Sequence, residues 1–227
     1  MLQLYDRLLK FALFQGMSRD DLAHVAGHTK FGFLKVEAGQ LLLSSGEACT
    51  QLYFLITGSL RVLTAAIDSA YRVEEQLDAP YVLQPEAIVG YNQCYTHSFD
   101  TITDCSFITL EKSEVMRLCQ EFLVFRINLL GMFATQAQRL LQQPWQSPPS
   151  TLQERIMRFF IRHCLQPSGS KEFHILMARL ADEVGDSRLD VSRALNLLQR
   201  DGLVVLHRGR ISVPRMELLN SAMIEKS

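Results

Sequence analysis

The chain has no run of 18 uncharged apolar residues, and its start, MLQLYDRLLK, has neither the unbroken apolar core nor the small-residue cleavage site of a secretory signal. It is expected to be cytoplasmic, with no membrane partner. Cysteine is scarce and scattered: Cys49, Cys94, Cys105, Cys119 and Cys164 form no CxxC pair and no Cys/His ligand spacing. That argues against clustered-cysteine zinc and iron–sulfur sites, so no metal is expected and the thiols should be reduced and mostly buried. A phosphate loop, a nucleophile elbow and a metal-binding histidine pair on one helix face are missing too, so the chain does not read as an enzyme and no catalytic residue is assigned. A last absence is electrostatic. Between Arg72 and Lys112 there is not one Lys or Arg, while Glu74, Glu75, Asp78, Glu86, Asp100, Asp104 and Glu111 bring seven negative charges.

What is present divides the chain. Its 227 residues are 48% hydrophobic and 21% charged, enough apolar material for one large or two ordinary domains. The net charge of −1 conceals a partition: residues 1–111 hold 7 Lys+Arg against 13 Asp+Glu, net −6, whereas residues 151–215 hold 11 against 7, net +4. An acidic front and a basic back fit a sensing part joined to a part that meets phosphate.

The basic part centres on ARLADEVGDSRLDVSRALNLLQRDG, residues 178–202. Leu180, Ala181 and Val184 mark the inner face of a first helix, Gly185 supplies a turn, and Ser187 is a good N-cap. Val191, Ala194, Leu195 and Leu198 then recur at helical spacing. This is a helix-turn-helix pattern whose second helix carries Arg188, Leu189, Ser192 and Arg193 on its other face. Arg188 and Arg193 are five positions apart, about 7.5 Å along the axis and 140° around it, so both can reach base edges in a major groove. Behind it, two β-branched runs flank His207-Arg208-Gly209-Arg210, a basic hairpin. His207, Arg208, Arg210 and Ser187 are expected to hold DNA phosphate, and Leu189 to meet a thymine methyl.

The front reads differently. Tyr5–Phe14 and Ser18–Gly27 are short helix patterns, followed between Phe31 and Leu110 by eight short β-rich runs, Ala87–Val89 among them, as in an antiparallel barrel or jelly roll. Lys112–Gln143 then reads as one long helix with more apolar surface than one side of a roll can cover. Its Phe122, Phe125, Leu129, Met132, Phe133 and Leu140 are the candidate dimer interface. Three prolines in six residues make 144–150 a hinge, and Ser150 or Thr151 should cap a helix whose Ile156, Phe159 and Phe160 pack behind the helix-turn-helix.

The stretch from Val36 through Gly39, Gly46-Glu47 and Leu52-Tyr53-Phe54-Leu55-Ile56-Thr57-Gly58 to Val62 resembles the opening strands of the cyclic-nucleotide-binding β-roll. With the basic winged helix behind it, nearly the whole chain resembles the Crp/Fnr superfamily of transcription regulators. The resemblance implies an α+β fold: an N-terminal double-stranded β-helix, or jelly roll, of the cyclic-nucleotide-binding type over 1–111, a dimerisation helix over 112–143, a hinge over 144–150 and a winged helix-turn-helix over 151–227. It implies a homodimer on a near-palindromic operator in double-stranded DNA, with RNA polymerase as a candidate further partner.

The effector is where this sequence departs from the family. Nucleotide-binding members grip the ribose with Gly-Glu and neutralise the phosphate with Arg followed by a small hydroxyl residue; here Gly90 precedes Tyr91, and Tyr95-Thr96 stand in the second place. A buried phosphate without a guanidinium is costly, so cyclic AMP is not expected to bind and no cofactor is identified. The roll is read as carrying an unknown, non-nucleotide effector, or none. The alternative is a haem or redox sensor on the same fold, with His24, His28, His97 or a cysteine on iron.

Overall fold

In the computed structural model residues 2–142, 145 and 148–225 are described; Gln143, Pro144, Gln146 and Ser147, in and beside the expected hinge, lie outside them. The front opens with α1 (Leu2–Leu8), a 3-10 turn at Ala12–Phe14 and α2 (Arg19–His28). The α2 N-terminus is capped as its sequence suggests, Ser18 Oγ accepting from the Asp21 N–H at 3.0 Å.

Eight strands follow: β1 (Phe31–Val36), β2 (Leu41–Leu43), β3 (Gln51–Thr57), β4 (Ser59–Ala65), β5 (Arg72–Asp78), β6 (Tyr81–Leu83), β7 (Ser98–Thr101) and β8 (Cys105–Glu111). β1, β8, β3 and β6 form one antiparallel sheet in that order, and β2 pairs with β7 across an irregular register. Gly58 turns β3 into β4 at φ +99, where a Cβ would stand 2.6 Å from the Asp104 carbonyl oxygen, so only glycine fits. The run Ala87–Val89, read from sequence as a strand, lies mostly in a 3-10 turn (Pro85–Ile88) instead. Pro85 at its first position presets a helical φ and removes a ladder donor, and that outweighs the β-branched composition.

The single long helix expected over 112–143 is two: α3 (Lys112–Glu121) and α4 (Leu123–Gln142), bent by 116°. Phe122 breaks them with extended backbone at φ −119 and ψ 106. The apolar residues serve two surfaces that no straight helix reaches together. Val115 and Leu118 are buried where α3 follows β8, while Phe125 packs its ring 5.3 Å from Phe14 in the N-terminal turn. Asn128 fixes the second surface by donating to the carbonyls of Leu13 and Gln15 at 3.1 and 2.8 Å. No single helix among the described residues is long and apolar enough to cross a membrane.

Contacts divide the chain into two units that ignore sequence order: 1–60 with 77–146, and 61–76 with 147–227. The second holds α5 (Leu152–Arg162), β9 (Lys171–His174), α6 (Met177–Val184), α7 (Arg188–Arg200), β10 (Val205–His207), β11 (Arg210–Val213) and α8 (Met216–Glu225). β5 joins it by pairing antiparallel with β9, Val73 opposite Phe173, so a hairpin the sequence assigns to the roll is built into this sheet. Ile156, Phe159 and Phe160 are buried in its core as expected, Phe160 against Phe173 at 4.5 Å. Within the same unit Glu75, 2% exposed, meets Lys171 at 2.9 Å and accepts from the Leu165 and Gln166 N–H groups. The Lys171 ammonium is within ion-pair range but off the hydrogen-bond axis. A buried pair of this kind adds little net stability, yet losing one partner would strand a charge.

Candidate nucleic-acid interface

The helix-turn-helix is assembled by local chemistry. Gly185 ends α6 in the left-handed region at φ 66, with its N–H on the Ala181 and Asp182 carbonyls. Ser187 Oγ accepts from the Asp190 N–H at 3.1 Å and donates to the Asp190 carboxylate at 2.6 Å, starting α7. Arg155, from α5, clamps the turn by donating to the carbonyls of Val184 and Gly185 and to Asp186. Sequence reasoning missed this clamp, because nothing along the chain links positions 30 residues apart.

Burial then sorts the two sides of α7. Val191, Ala194, Leu195 and Leu198 are interior, whereas Leu189, Arg193, Asn196 and Arg200 form an exposed stripe spaced by four, three and four. Arg188 and the half-buried Ser192 flank it. Arg193 is 69% exposed at its side chain and lies 3.1 Å from Asp190. The Asp190 carboxyl is held below its usual range, first by the Ser187 hydroxyl and then by Arg193. Asn196 and Arg200 were not singled out from sequence, although they continue the stripe of Arg193 by one and two turns. In the wing, His207 pairs in register with Arg210 around Arg208-Gly209. His207 and Arg208 are exposed, but Arg210 is 3.1 Å from Glu172 and so partly neutralised.

The expected ligand loop is arranged differently from its sequence reading. Tyr91 is fully exposed and Gly90 sits in the bend beyond the 3-10 segment, its N–H on the Glu86 carbonyl. Tyr95, 2% exposed, donates its hydroxyl to the Gln51 carbonyl. Thr96 is met by Ser45, whose Oγ donates to its carbonyl, and by Gln84: the Gln84 Oε1 accepts from the Thr96 and His97 N–H groups at 3.1 and 3.2 Å, and its Nε2 donates to Thr96 Oγ1 at 2.6 Å. Gln84 is nearly buried in a left-handed conformation at φ 36, uncommon for a residue with a Cβ and invisible in its letter. The amide thus occupies backbone donors that would otherwise be free for an anion.

The six residues of the candidate dimer interface are divided. Phe125 and Leu129 are 0% and 5% exposed and belong to the chain's own core, so they are corrected as interface residues. Phe122 is half-buried against His24, Met132 and Phe133 are half-buried, and Leu140 is exposed. The exposed stripe of α4 is another one: Leu123, Ile127, Leu130, Ala134, Ala137 and Leu141, spaced by four, three, four, three and four. His24 and His28 stack on each other at 4.2 Å and His97 stands edge-on to Phe99. Among the described residues no three His, Cys, Asp or Glu side chains gather as metal ligands. Burial pushes the thiol pKa of Cys49, Cys105, Cys119 and Cys164 upward, away from the reactive thiolate.

Comparison with known proteins agrees with both halves. Residues 33–122 match the cyclic nucleotide-binding domain and residues 154–222 the Crp-like helix-turn-helix domain. Among solved structures, the chain is similar to the Thermus thermophilus catabolite activator protein at 19% identity, covering 96% of this chain and all of that one with a TM-score of 0.52. A putative regulator of the Crp/Fnr family from Eubacterium rectale is 16% identical, with coverages of 95% and 99% and a TM-score of 0.53. The sensor domain of the Pseudomonas aeruginosa regulator DNR is 14% identical, covering 66% of this chain and 97% of its own, with a TM-score of 0.51. A comparison with curated proteins returned no match. With a β-roll and a winged helix in the order of the two matched models, and an α+β fold shared with these regulators, the chain belongs to the Crp/Fnr family of DNA-binding transcription regulators.

Proposed function

We propose that this regulator works as a homodimer that sets two copies of α7 into successive major grooves of a near-palindromic operator. The observation that carries the reading is the exposed stripe of α7, which continues from Leu189 through Arg193 and Asn196 to Arg200 on a helix whose other face is buried. Arg188 and Arg193 take the base-reading role, while Arg208, His207 and the α7 N-terminus around Ser187 hold phosphate. Arg210 contributes less, since Glu172 shares its charge. Leu189 stands where it can touch a thymine methyl and cannot accept from cytosine.

The exposed stripe of α4 supports the dimer, because four large apolar side chains at 56–70% exposure, on heptad spacing, call for a cover. The effector is assigned to a class other than cyclic nucleotides: the Thr96 loop is bridged by Gln84, and no Lys or Arg lies between Arg72 and Lys112. Selecting bound DNA from a random pool tests the operator, and light scattering on the same protein tests the dimer. An enriched two-fold sequence bound by a dimer is expected; an enriched single half-site bound by a monomer would overturn the reading.

A further inference from the structure

The Thr96 loop is closed by Gln84, but the N-terminal unit has a second concavity that is open. It encloses about 730 Å3, and its walls include Arg7, Lys10 and Lys35 together with Phe33, Leu34 and Ile56. That volume lies inside the roughly 300–1,000 Å3 of small-molecule sites. Its apolar part is unusually wet: Phe33 is 64% and Leu34 37% exposed on β1, an edge strand of the four-stranded sheet. Phe33 and Lys35 share one face of that strand, in register with Ile108 and Ser106.

Charge says what covers it. Residues 1–60 hold five cations, Arg7, Lys10, Arg19, Lys30 and Lys35, and residues 77–111 hold none. Three of the five line this one groove, and none of the three has a carboxylate partner among the described residues. An unpaired trio of like charges in an otherwise acidic segment is unfavourable by itself and is relieved by an anion. The remaining walls add only the hydroxyls of Thr57 and Ser106 as side-chain polar groups, too few to satisfy the many donors and acceptors of a sugar or a nucleobase. An aliphatic chain needs no such partners, and burying the exposed Phe33 under it removes apolar surface from water.

We propose that this groove binds a long-chain carboxylate, its chain on Phe33 and Ile56 and its head among Arg7, Lys10 and Lys35. Such a ligand would give the N-terminal unit an effector site lined by none of Gly90, Tyr91, Tyr95 and Thr96. The inference goes beyond the regulator reading and does not depend on operator binding.

The test uses the full chain and oleate below its micelle concentration, followed by titration calorimetry. Saturable binding of one oleate per chain is expected. Oleyl alcohol should bind at least about tenfold more weakly, because it lacks the charge the three cations meet. Lys10→Glu combined with Lys35→Glu should weaken oleate by about tenfold or more, and Phe33→Asp likewise, since all three side chains are exposed and their replacement leaves the core intact. Unchanged melting of these variants checks that they fold. Equal affinity for the alcohol, unaffected variants, or adsorption to anionic phospholipid vesicles with no uptake of free oleate would overturn the proposal. Intact operator binding alongside any of these outcomes would leave the regulator reading standing.

Discussion

Two helices in this protein each bury one side and leave the other wet, and they do it with opposite chemistry. On α7 the wet side is Leu189, Arg193, Asn196 and Arg200; on α4 it is Leu123, Ile127, Leu130, Ala134, Ala137 and Leu141. A polar, cationic stripe is stable in water by itself and gains from phosphate and base edges. An apolar stripe of six positions is not, and gains only from another apolar surface. Exposure alone would rank the two faces as equals, whereas their composition suits different partners: DNA for α7 and, in the proposed dimer, a second copy of α4 for the other.

The largest effect expected from breaking the contrast is on α4. Ile127→Glu with Leu130→Glu places charge in the wet stripe and should leave the monomer folded while abolishing association. Operator affinity should then fall by about a hundredfold or more, since two linked half-site contacts become one. Leu129→Ala, one residue from Leu130, should do the reverse. Leu129 is 5% exposed within the chain, so its truncation should cost about 2–5 kcal/mol in stability with the association state unchanged. Calorimetric melting and light scattering on both variants separate the two residues; equal effects on association would mean that the stripe has been drawn on the wrong face.

Adjacent residues with opposite fates explain what the sequence disclosed and what it withheld. The helix-turn-helix was legible because its determinants are local: Gly185, the Ser187 cap and the apolar spacing of α7 lie within a few turns of one another. The roll's strands and the wing were legible for the same reason, as alternating runs punctuated by turn residues. α4 was not, because Leu129 and Leu130 are the same letter, and only the packing of Phe14 against Phe125 decides which of them turns inward. The break at Phe122 was hidden likewise, since α3 and α4 keep one uninterrupted apolar rhythm and only the surfaces they meet force the bend. The transfer of 61–76 to the DNA-binding unit depends on β5 pairing with β9, about 100 residues on, and strand partners at that distance leave no local mark. In the ligand loop the sequence pointed to Gly90 because nucleotide-binding members of the family it resembles carry their Gly-Glu pair there. The residue with the unusual backbone is Gln84.

On α7 a middle-sized effect sharpens the comparison. Arg193→Ala should cost about 1–3 kcal/mol on the selected operator and relax sequence preference there, whereas Arg208→Ala should weaken all DNAs alike and flatten the salt dependence by about one unit. Arg210→Ala should change the salt dependence less than Arg208→Ala, because Glu172 already neutralises part of its charge. Filter binding on operator and random duplexes over a salt series reads all three. Equal losses on both DNAs for Arg193→Ala would remove it from the base-reading role.

The smallest effect concerns Asp190, the one carboxylate that α7 carries beside its cationic stripe. Its carboxyl is held below the usual aspartate range by the Ser187 hydroxyl and then by Arg193, so its contribution to stability is complete above the unfolded-state pKa and is lost as pH falls through the lower folded-state one. Between about pH 6 and 8 it stays ionised and should add no pH dependence to DNA binding. Asp190→Asn keeps an acceptor beside Ser187 but removes the charge that holds Arg193 at 3.1 Å. Loss of a negative charge near phosphate should raise affinity for random DNA by a few-fold at low salt, while the freed Arg193 pays more side-chain entropy to reach its base. The ratio of operator to random binding should therefore fall although binding as a whole tightens. A ratio that stays level or rises in the variant would mean that Arg193 finds its base without Asp190, and that this carboxylate serves only to cap the helix.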